Sequence, residues 1–177
     1  MNKSDIQMFK TYVKNAKVYF EWGSGGSTCY VSQQPHIKKI YSVESDYNFV
    51  KKLEYLQNVE FIYCEMDSIN HWGQPGKNAR TTQKITYSDA ILDKQNVDFV
   101  LIDGRFRVAC ALKCFNVISE DTYIAFDDFL HRSQYHIILD YYDIISNQKE
   151  GVMVILKKKN VPSPSSELIS KYELIED

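Results

Sequence analysis

Three groups of residues have the types and spacing that chemistry uses. The first is E21-W-G-S-G-G-S27, which follows the apolar run V18-Y-F-E-W22. Glycines at 23, 25 and 26 let the backbone approach a ligand and let the next helix aim its N-terminus at it. The second is Glu44, which ends another apolar segment about 20 residues further on, where an acidic side chain can hold both ribose hydroxyls of a nucleotide-like ligand. The third is split between D103-G-R-F-R107 and D127-D-F129, the latter followed by His131, Arg132 and Tyr135. Adjacent carboxylates are costly unless solvated, paired or metal-bound. In a cleft such groups can take a proton from a nucleophile or hold a divalent ion. Asp103, Asp127, Asp128 and His131 are therefore the catalytic candidates, with Arg107 and Arg132 expected in the same cleft. The plain alternative is that Asp127 or Asp128 caps the following helix and pairs with Arg132, while His131 is a solvated loop residue.

Strands and helices must bring these groups together. Ile6, Phe9, Tyr12 and Val13 have helical spacing within 4–16. Extended segments are expected at 18–22, 37–44, 59–64, 97–103 and 122–128. Helices are expected at about 27–34, 47–57, 86–94, 106–118 and 132–139, with Pro35 ending the second of the chain's helices. A polar stretch, 65–84, is long for a structureless loop and reads as functional or mobile. Segments 141–146 and 151–159 form an antiparallel pair. Strand–helix alternation closed by a hairpin predicts an α/β fold, a mostly parallel sheet with helices on both faces. One domain is expected over 1–160, followed by a loosely held tail at 161–177 carrying Pro162 and Pro164.

Composition narrows the function classes. The 177 residues are 44% hydrophobic and 25% charged, with a formal net charge of −2. That balance excludes a sequence-independent nucleic-acid binder, which needs a broad excess of Lys and Arg. The four cysteines lack the paired spacing of a zinc ribbon and suit a reducing compartment. No apolar run nears the ~20 residues that span a bilayer, and residues 1–17 lack a signal-peptide core. The expectation is a cytoplasmic protein, monomeric or homodimeric, with no membrane or nucleic-acid partner.

A dinucleotide would require G-x-G-x-x-G, and the register Gly23, Gly25 puts Thr28 at the third glycine. E21-W-G-S-G-G-S27, V43-E44, V97-D-F-V-L-I-D103-G104 and the final hairpin together resemble class I S-adenosylmethionine-dependent methyltransferases over about residues 17–159. The resemblance implies a Rossmann-like, doubly wound, seven-stranded sheet of order 3-2-1-4-5-7-6 with strand 7 antiparallel. It implies S-adenosyl-L-methionine as cofactor, with Glu21, Gly23, Ser24, Gly25, Gly26 and Ser27 around its methionine part. Glu44 would hold the ribose, Asp67 and Ser68 would flank the adenine, and Asp103 would complete the donor site.

The acceptor is read from weaker signals. L101-I-D-G-R-F-R-V-A-C-A-L112, D127-D-F-L-H-R-S-Q-Y135 and W72-G-Q-P75 resemble small sugar and glycan O-methyltransferases, including those of large DNA viruses. For such a viral protein the compartment would be the host cytoplasm. This implies a small-molecule or glycan acceptor, with Trp72, Arg105, Arg107, Arg132 and Tyr135 as substrate candidates. Trp72, Tyr87 and Phe106 are candidates for an apolar wall. Asp103, Asp127 and Asp128 also resemble the carboxylates that bind Mg or Mn in catechol-type O-methyltransferases, although the Asp-Asn pair usual there is Asp127-Asp128 here. Other readings are a protein or RNA methyltransferase and a non-catalytic scaffold; the intact E-W-G-S-G-G turn and Glu44 speak against the scaffold.

Overall fold

The computed structural model describes residues 1–175, the side chain of Trp72 excepted. Seven strands run β1 (Val18–Trp22), β2 (Lys39–Glu44), β3 (Val59–Tyr63), β4 (Phe99–Ile102), β5 (Tyr123–Phe126), β6 (Tyr142–Asn147) and β7 (Val154–Lys158). They form one sheet of order β3-β2-β1-β4-β5-β7-β6. The pairs β3–β2, β2–β1, β1–β4 and β4–β5 are parallel, whereas β7 runs antiparallel to both β5 and β6. The sheet order and the reversed β7 agree with the order expected from the sequence.

Alternation along the central strands divides the core between the two faces of the sheet. Phe20, Trp22, Val100, Ile102, Ile124 and Phe126 face one side. Tyr19, Phe99, Leu101, Ala125 and Ile155 face the other. Both faces are covered, which is why β4 and β5 read as unbroken apolar runs. The first face is roofed by α5 (Arg107–Val117), against which α4 (Thr81–Asp89) and α6 (Ser166–Tyr172) pack. On the second face Met8, Phe9 and Val13 of α1 (Lys3–Val13) pack with Val31 of α2 (Gly26–Ser32). Phe9 contacts Tyr19 and Phe99 edge-on, with ring centroids 6.2 and 5.6 Å apart.

Several boundaries differ from the sequence expectation, for physical reasons. α3 (Tyr47–Leu53) stops before residue 57, with Lys51 and Lys52 in its last turn, near the negative end of its dipole. α4 begins at Thr81 rather than near 86, because Gln83 reaches back to accept from the Arg80 amide at 2.9 Å. The long connection between β3 and α4 therefore holds less irregular chain, and a short 3₁₀ turn at His71–Gly73 divides it. The segment after β5 is a 3₁₀ helix, Ser133–Asp140. The expected loose tail instead contains α6. Ser165 caps it, and Leu168, Ile169 and Tyr172 pack on the core. Glu173 and Asp89 both pair with Lys113 of α5, whose side chain is 5% exposed.

Candidate active site

The carboxyl ends of β1, β2, β4 and β5 open into one cavity of about 770 Å³. This is the edge where open parallel sheets place ligands. Its lining includes Gly23–Ser27, Glu44, Ser45, Asp103, Gly104, Arg105, Arg107, Asp127, Asp128 and Arg132. Met1, Ile6, Phe9 and Lys10 of the N-terminal segment, with Tyr30 of α2, form a wall on another side. Phe49 of α3 lines the cavity as well, and also borders a separate, more open pocket with Asp46, Ile69, Asn70 and His71.

The glycine turn is shaped by close packing below and open space above. Gly23 has φ +94°, and a Cβ there would lie 2.9 Å from the Asp103 carbonyl oxygen. Cβ atoms on Gly25 and Gly26 would meet no atom within 4 Å. The turn thus leaves room directly over the start of α2. Glu44 stands beside it with its carboxylate fixed by backbone amides. Ser24 N donates to Oε2 at 3.0 Å, and Ser45 N and Asp46 N donate to Oε1 at 2.7 and 2.9 Å. Burial raises the Glu44 pKa, and those amides pull against it.

Glu21 lies beneath the turn and does not line the cavity. Fully buried, it accepts from four hydroxyls. Tyr19 and Ser27 donate to Oε2 at 2.8 and 2.7 Å; Ser42 donates to Oε1 at 2.7 Å, and Thr28 donates to the same oxygen. Thr28 Oγ1 in turn accepts from the Gly25 amide at 2.8 Å. Glu21 therefore shapes the turn from below, whereas the resemblance implied a place around the donor's methionine part. Burial pushes its pKa up, against the pull of the hydroxyls.

At the opposite end, α5 brings Arg107 up among the three aspartates. Its Nε donates to the Gly104 carbonyl at 2.9 Å, and Nη1 donates to the Asp127 carbonyl at 2.8 Å. Nη2 lies 3.4 Å from Asp103 Oδ1, and Nη1 lies 3.5 Å from Asp128 Oδ2. Arg107 is buried and binds the two strand-end turns together; it is a framework residue rather than an open substrate group. Asp128 is held by Arg132, with Nη2 2.8 Å from Oδ2. This is the helix-side pairing that the sequence left as the alternative. Asp127 is 5% exposed, its Oδ2 3.4 Å from the Met1 amino nitrogen. Burial and the neighbouring Asp127 carboxyl push Asp103 up to about 7, against the pull of Arg107. Phe106 and Asp128, at the two turns, have φ of +52° and +60°. Left-handed backbone at bulky or loop residues costs energy and clusters at functional sites.

Other candidates lie elsewhere. His131 is exposed and does not line the cavity. Tyr135 is buried behind Arg132, whose Nη1 donates to its hydroxyl at 2.9 Å. Asp67 pairs with Arg80 at 2.7 Å on the surface, and neither Asp67 nor Ser68 lines the cavity. Ser45 and Phe49 line the cavity near Glu44, while Ile69 and His71 line a neighbouring pocket that shares Phe49; none of the four carries a distinctive sequence pattern. Tyr87 lines the cavity; Phe106 is fully buried beside it, ring centroids 5.8 Å apart. The Trp72 side chain lies outside the described residues. Among the described residues no three His, Cys, Asp or Glu side chains converge to hold a metal ion. The carboxylates of Asp103 and Asp128 face guanidinium groups and that of Asp127 faces the Met1 amino group, so the residues present do not fit the Mg or Mn site considered from the sequence.

No protein-family model and no curated protein matches the chain. Solved structures do. A methyltransferase-like protein from Silicibacter pomeroyi superposes with a TM-score of 0.86 at 24% identity, covering 98% of this chain and 95% of the other. A TehB-like SAM-dependent methyltransferase from Corynebacterium glutamicum gives a TM-score of 0.58 at 8% identity, covering 88% and 87%. An rRNA methylase from Streptococcus thermophilus gives 0.57 at 12%, covering 89% and 98%. The fold is therefore the Rossmann-like fold of these methyltransferases, with the same seven-stranded arrangement.

Proposed function

We propose that this chain transfers a methyl group from S-adenosylmethionine to a hydroxyl of a small acceptor, a sugar or glycan unit. One observation carries the reading. A single cavity joins an open glycine turn and an amide-held Glu44 to a cluster of aspartates and arginines at the ends of β4 and β5. The open space over Gly25 and Gly26 fits the methionine part of the donor, and Glu44 Oε2, with the Ser24 amide on it, retains a lone pair for a ribose hydroxyl. The donor supplies an activated methyl on a sulfonium. The protein's tasks are alignment and removal of the acceptor's proton.

Each element has a part in that work. Gly23–Ser27 and Glu44 orient the donor with its sulfonium toward Asp103. Arg105 and Arg132 line the acceptor end, and α1 shields it from water. A formal charge of −2 favours a small acceptor over RNA. Among the described residues no helix is long and apolar enough to cross a membrane. The cysteines are free, which supports placing the reaction in the cytoplasm.

Calorimetry with S-adenosylmethionine and S-adenosylhomocysteine tests the donor half. Micromolar binding is expected, and absence of binding by both refutes the proposal. Radiolabelled donor with a panel of sugars, glycan fragments, phenols and RNA tests the acceptor half; label appearing on RNA alone would refute the hydroxyl-sugar reading.

A further inference from the structure

The proton of the acceptor hydroxyl needs a destination, and the site offers several carboxylates of unequal character. Asp128 is taken by Arg132 at 2.8 Å and approached by Arg107 at 3.5 Å. His131 is outside the cavity. Asp103 lines the cavity with its side chain 30% exposed, and Asp127 lines it from the neighbouring strand end, 5% exposed, its amide donating to the Ile102 carbonyl at 3.0 Å. Asp127 Oδ1 is sealed from solvent and receives no hydrogen bond among the described residues. A buried carboxylate oxygen without a donor is costly. Beside a second carboxyl, that cost is removed when the two hold one proton between them.

We propose that Asp103 and Asp127 act as one proton-sharing pair. Asp103 takes the proton from the acceptor hydroxyl, Asp127 shares it from the neighbouring strand end, and Arg107 positions both. The assignment rests on the methyl-transfer reading above. In the step, the acceptor oxygen forms a bond to the methyl carbon as the carbon–sulfur bond breaks. That bond's electron pair returns to sulfur, which passes from sulfonium to neutral thioether, and the hydroxyl proton moves to the ionised pair. Atoms and charge balance with donor and acceptor alone.

The surroundings suit this role. Facing the pair are Arg107 from α5, Asp128 and Arg132 from the turn after β5, the Met1 amino group and Arg105. The Tyr87 hydroxyl lies close by, accepting from the Arg105 amide at 3.2 Å. Asp103, raised to about 7, is matched to proton transfer near neutral pH. Arg107 binds the backbone carbonyls of Gly104 and Asp127, so it fixes the separation of the two turns and not only their charge.

Two measurements test the pair. Carbon-13 NMR of protein labelled at the aspartate carboxyls needs no acceptor. Asp103 is expected to titrate near neutral pH. Asp127→Asn should return it at least about one pH unit toward the ordinary carboxylate range, and Asp128→Asn should shift it less. Asp103 titrating as an ordinary carboxylate in the wild type overturns the proposal. The second measurement is transfer from radiolabelled S-adenosylmethionine to a defined mixture of hexoses, 6-deoxyhexoses and methyl glycosides. Asp103→Asn should lower the rate about 100-fold or more, with S-adenosylhomocysteine still bound. The wild-type rate should fall as pH drops below about 7, and the residual rate of Asp103→Asn should lack that limb. An Asp103→Asn enzyme as fast as wild type overturns the pair, whereas loss of S-adenosylhomocysteine binding by the wild type overturns the methyl-transfer reading instead. If no sugar in the mixture is methylated, the NMR titration decides.

Discussion

Replacing Glu21 by Gln tests whether the donor turn is built from below. The substitution preserves shape and changes one carboxylate oxygen into an NH₂ donor. Four hydroxyls point at Glu21, two on each oxygen. Whichever oxygen is replaced, two hydroxyls lose their acceptor. Thr28 has the least room to adapt, because its Oγ1 already accepts from Gly25 N. Hydrogen bonds to a charged group contribute about 1.5–3 kcal/mol each, so about 3–6 kcal/mol is at risk. Avoiding a buried charge offsets a large part of this, leaving a net loss of about 2 kcal/mol. For a domain of this size that corresponds to a fall in Tm of about 4–8 °C.

The pH dependence has a definite sign. Burial raises the Glu21 pKa in the folded state. Its contribution is therefore full below the unfolded carboxyl pKa and is lost as pH rises through the folded one. The gap between wild type and Glu21→Gln should be wider at about pH 5 than at about pH 8. Urea unfolding followed by fluorescence of buried Trp22 measures it, and calorimetry with S-adenosylhomocysteine should show affinity at least about tenfold weaker. A variant as stable as wild type at both pH values, with unchanged affinity, would refute a supporting role for Glu21.

Other substitutions separate the parts of the site. Gly23→Ala must overcome both the positive φ and the 2.9 Å approach to the Asp103 carbonyl; a loss of about 2–4 kcal/mol in urea unfolding is expected, with donor binding abolished in calorimetry. Glu44→Ala should weaken donor binding about 30-fold or more while changing Tm by only a few degrees, since its amide partners border the water-filled cavity. Lys113→Met leaves Asp89 and Glu173 facing each other without their shared cation. It should cost about 3 kcal/mol in urea unfolding and expose α6 to proteolysis, and an unchanged protease pattern would refute the docking of α6 through this lysine.

The sequence carried the strand order and the donor turn because both are written in local patterns. Apolar runs mark β1, β4 and β5, and glycines mark the turn. Gly23 and Glu44 lie where spacing put them. Distinctions that depend on packing were not legible. Glu21, Asp128 and Arg107 are charged residues at strand ends or helix starts, and nothing local tells a framework charge from one that meets a ligand. The turn after β5 sets Asp127 inward and gives Asp128 to Arg132. That choice depends on a left-handed residue at 128, a conformation the sequence does not announce at Asp. The docking of α6 was hidden for a similar reason. Its partner, Lys113, lies on a helix whose burial becomes visible only when α4 and α6 close over it.

The contact between Asp5 and the segment before β7 bears on how the site comes into being. Asp5 is buried, and its carboxylate accepts from the amides of Val152 and Met153 at 3.2 and 3.3 Å, residues 147 and 148 positions away. Ile6, Phe9 and Lys10, from the same helix, wall the cavity. While the chain emerges from the ribosome, the glycine turn and Glu44 exist long before residue 152 does. Once β4 is made, the glycine turn can pack on Asp103 while the cavity still lacks this anchor for α1. Phe9 packs on Tyr19 and Phe99, but the Asp5 contact forms only when the segment before β7 arrives, a late closure of a very long loop. A chain stalled before β7 would carry the donor turn without the anchored α1 wall.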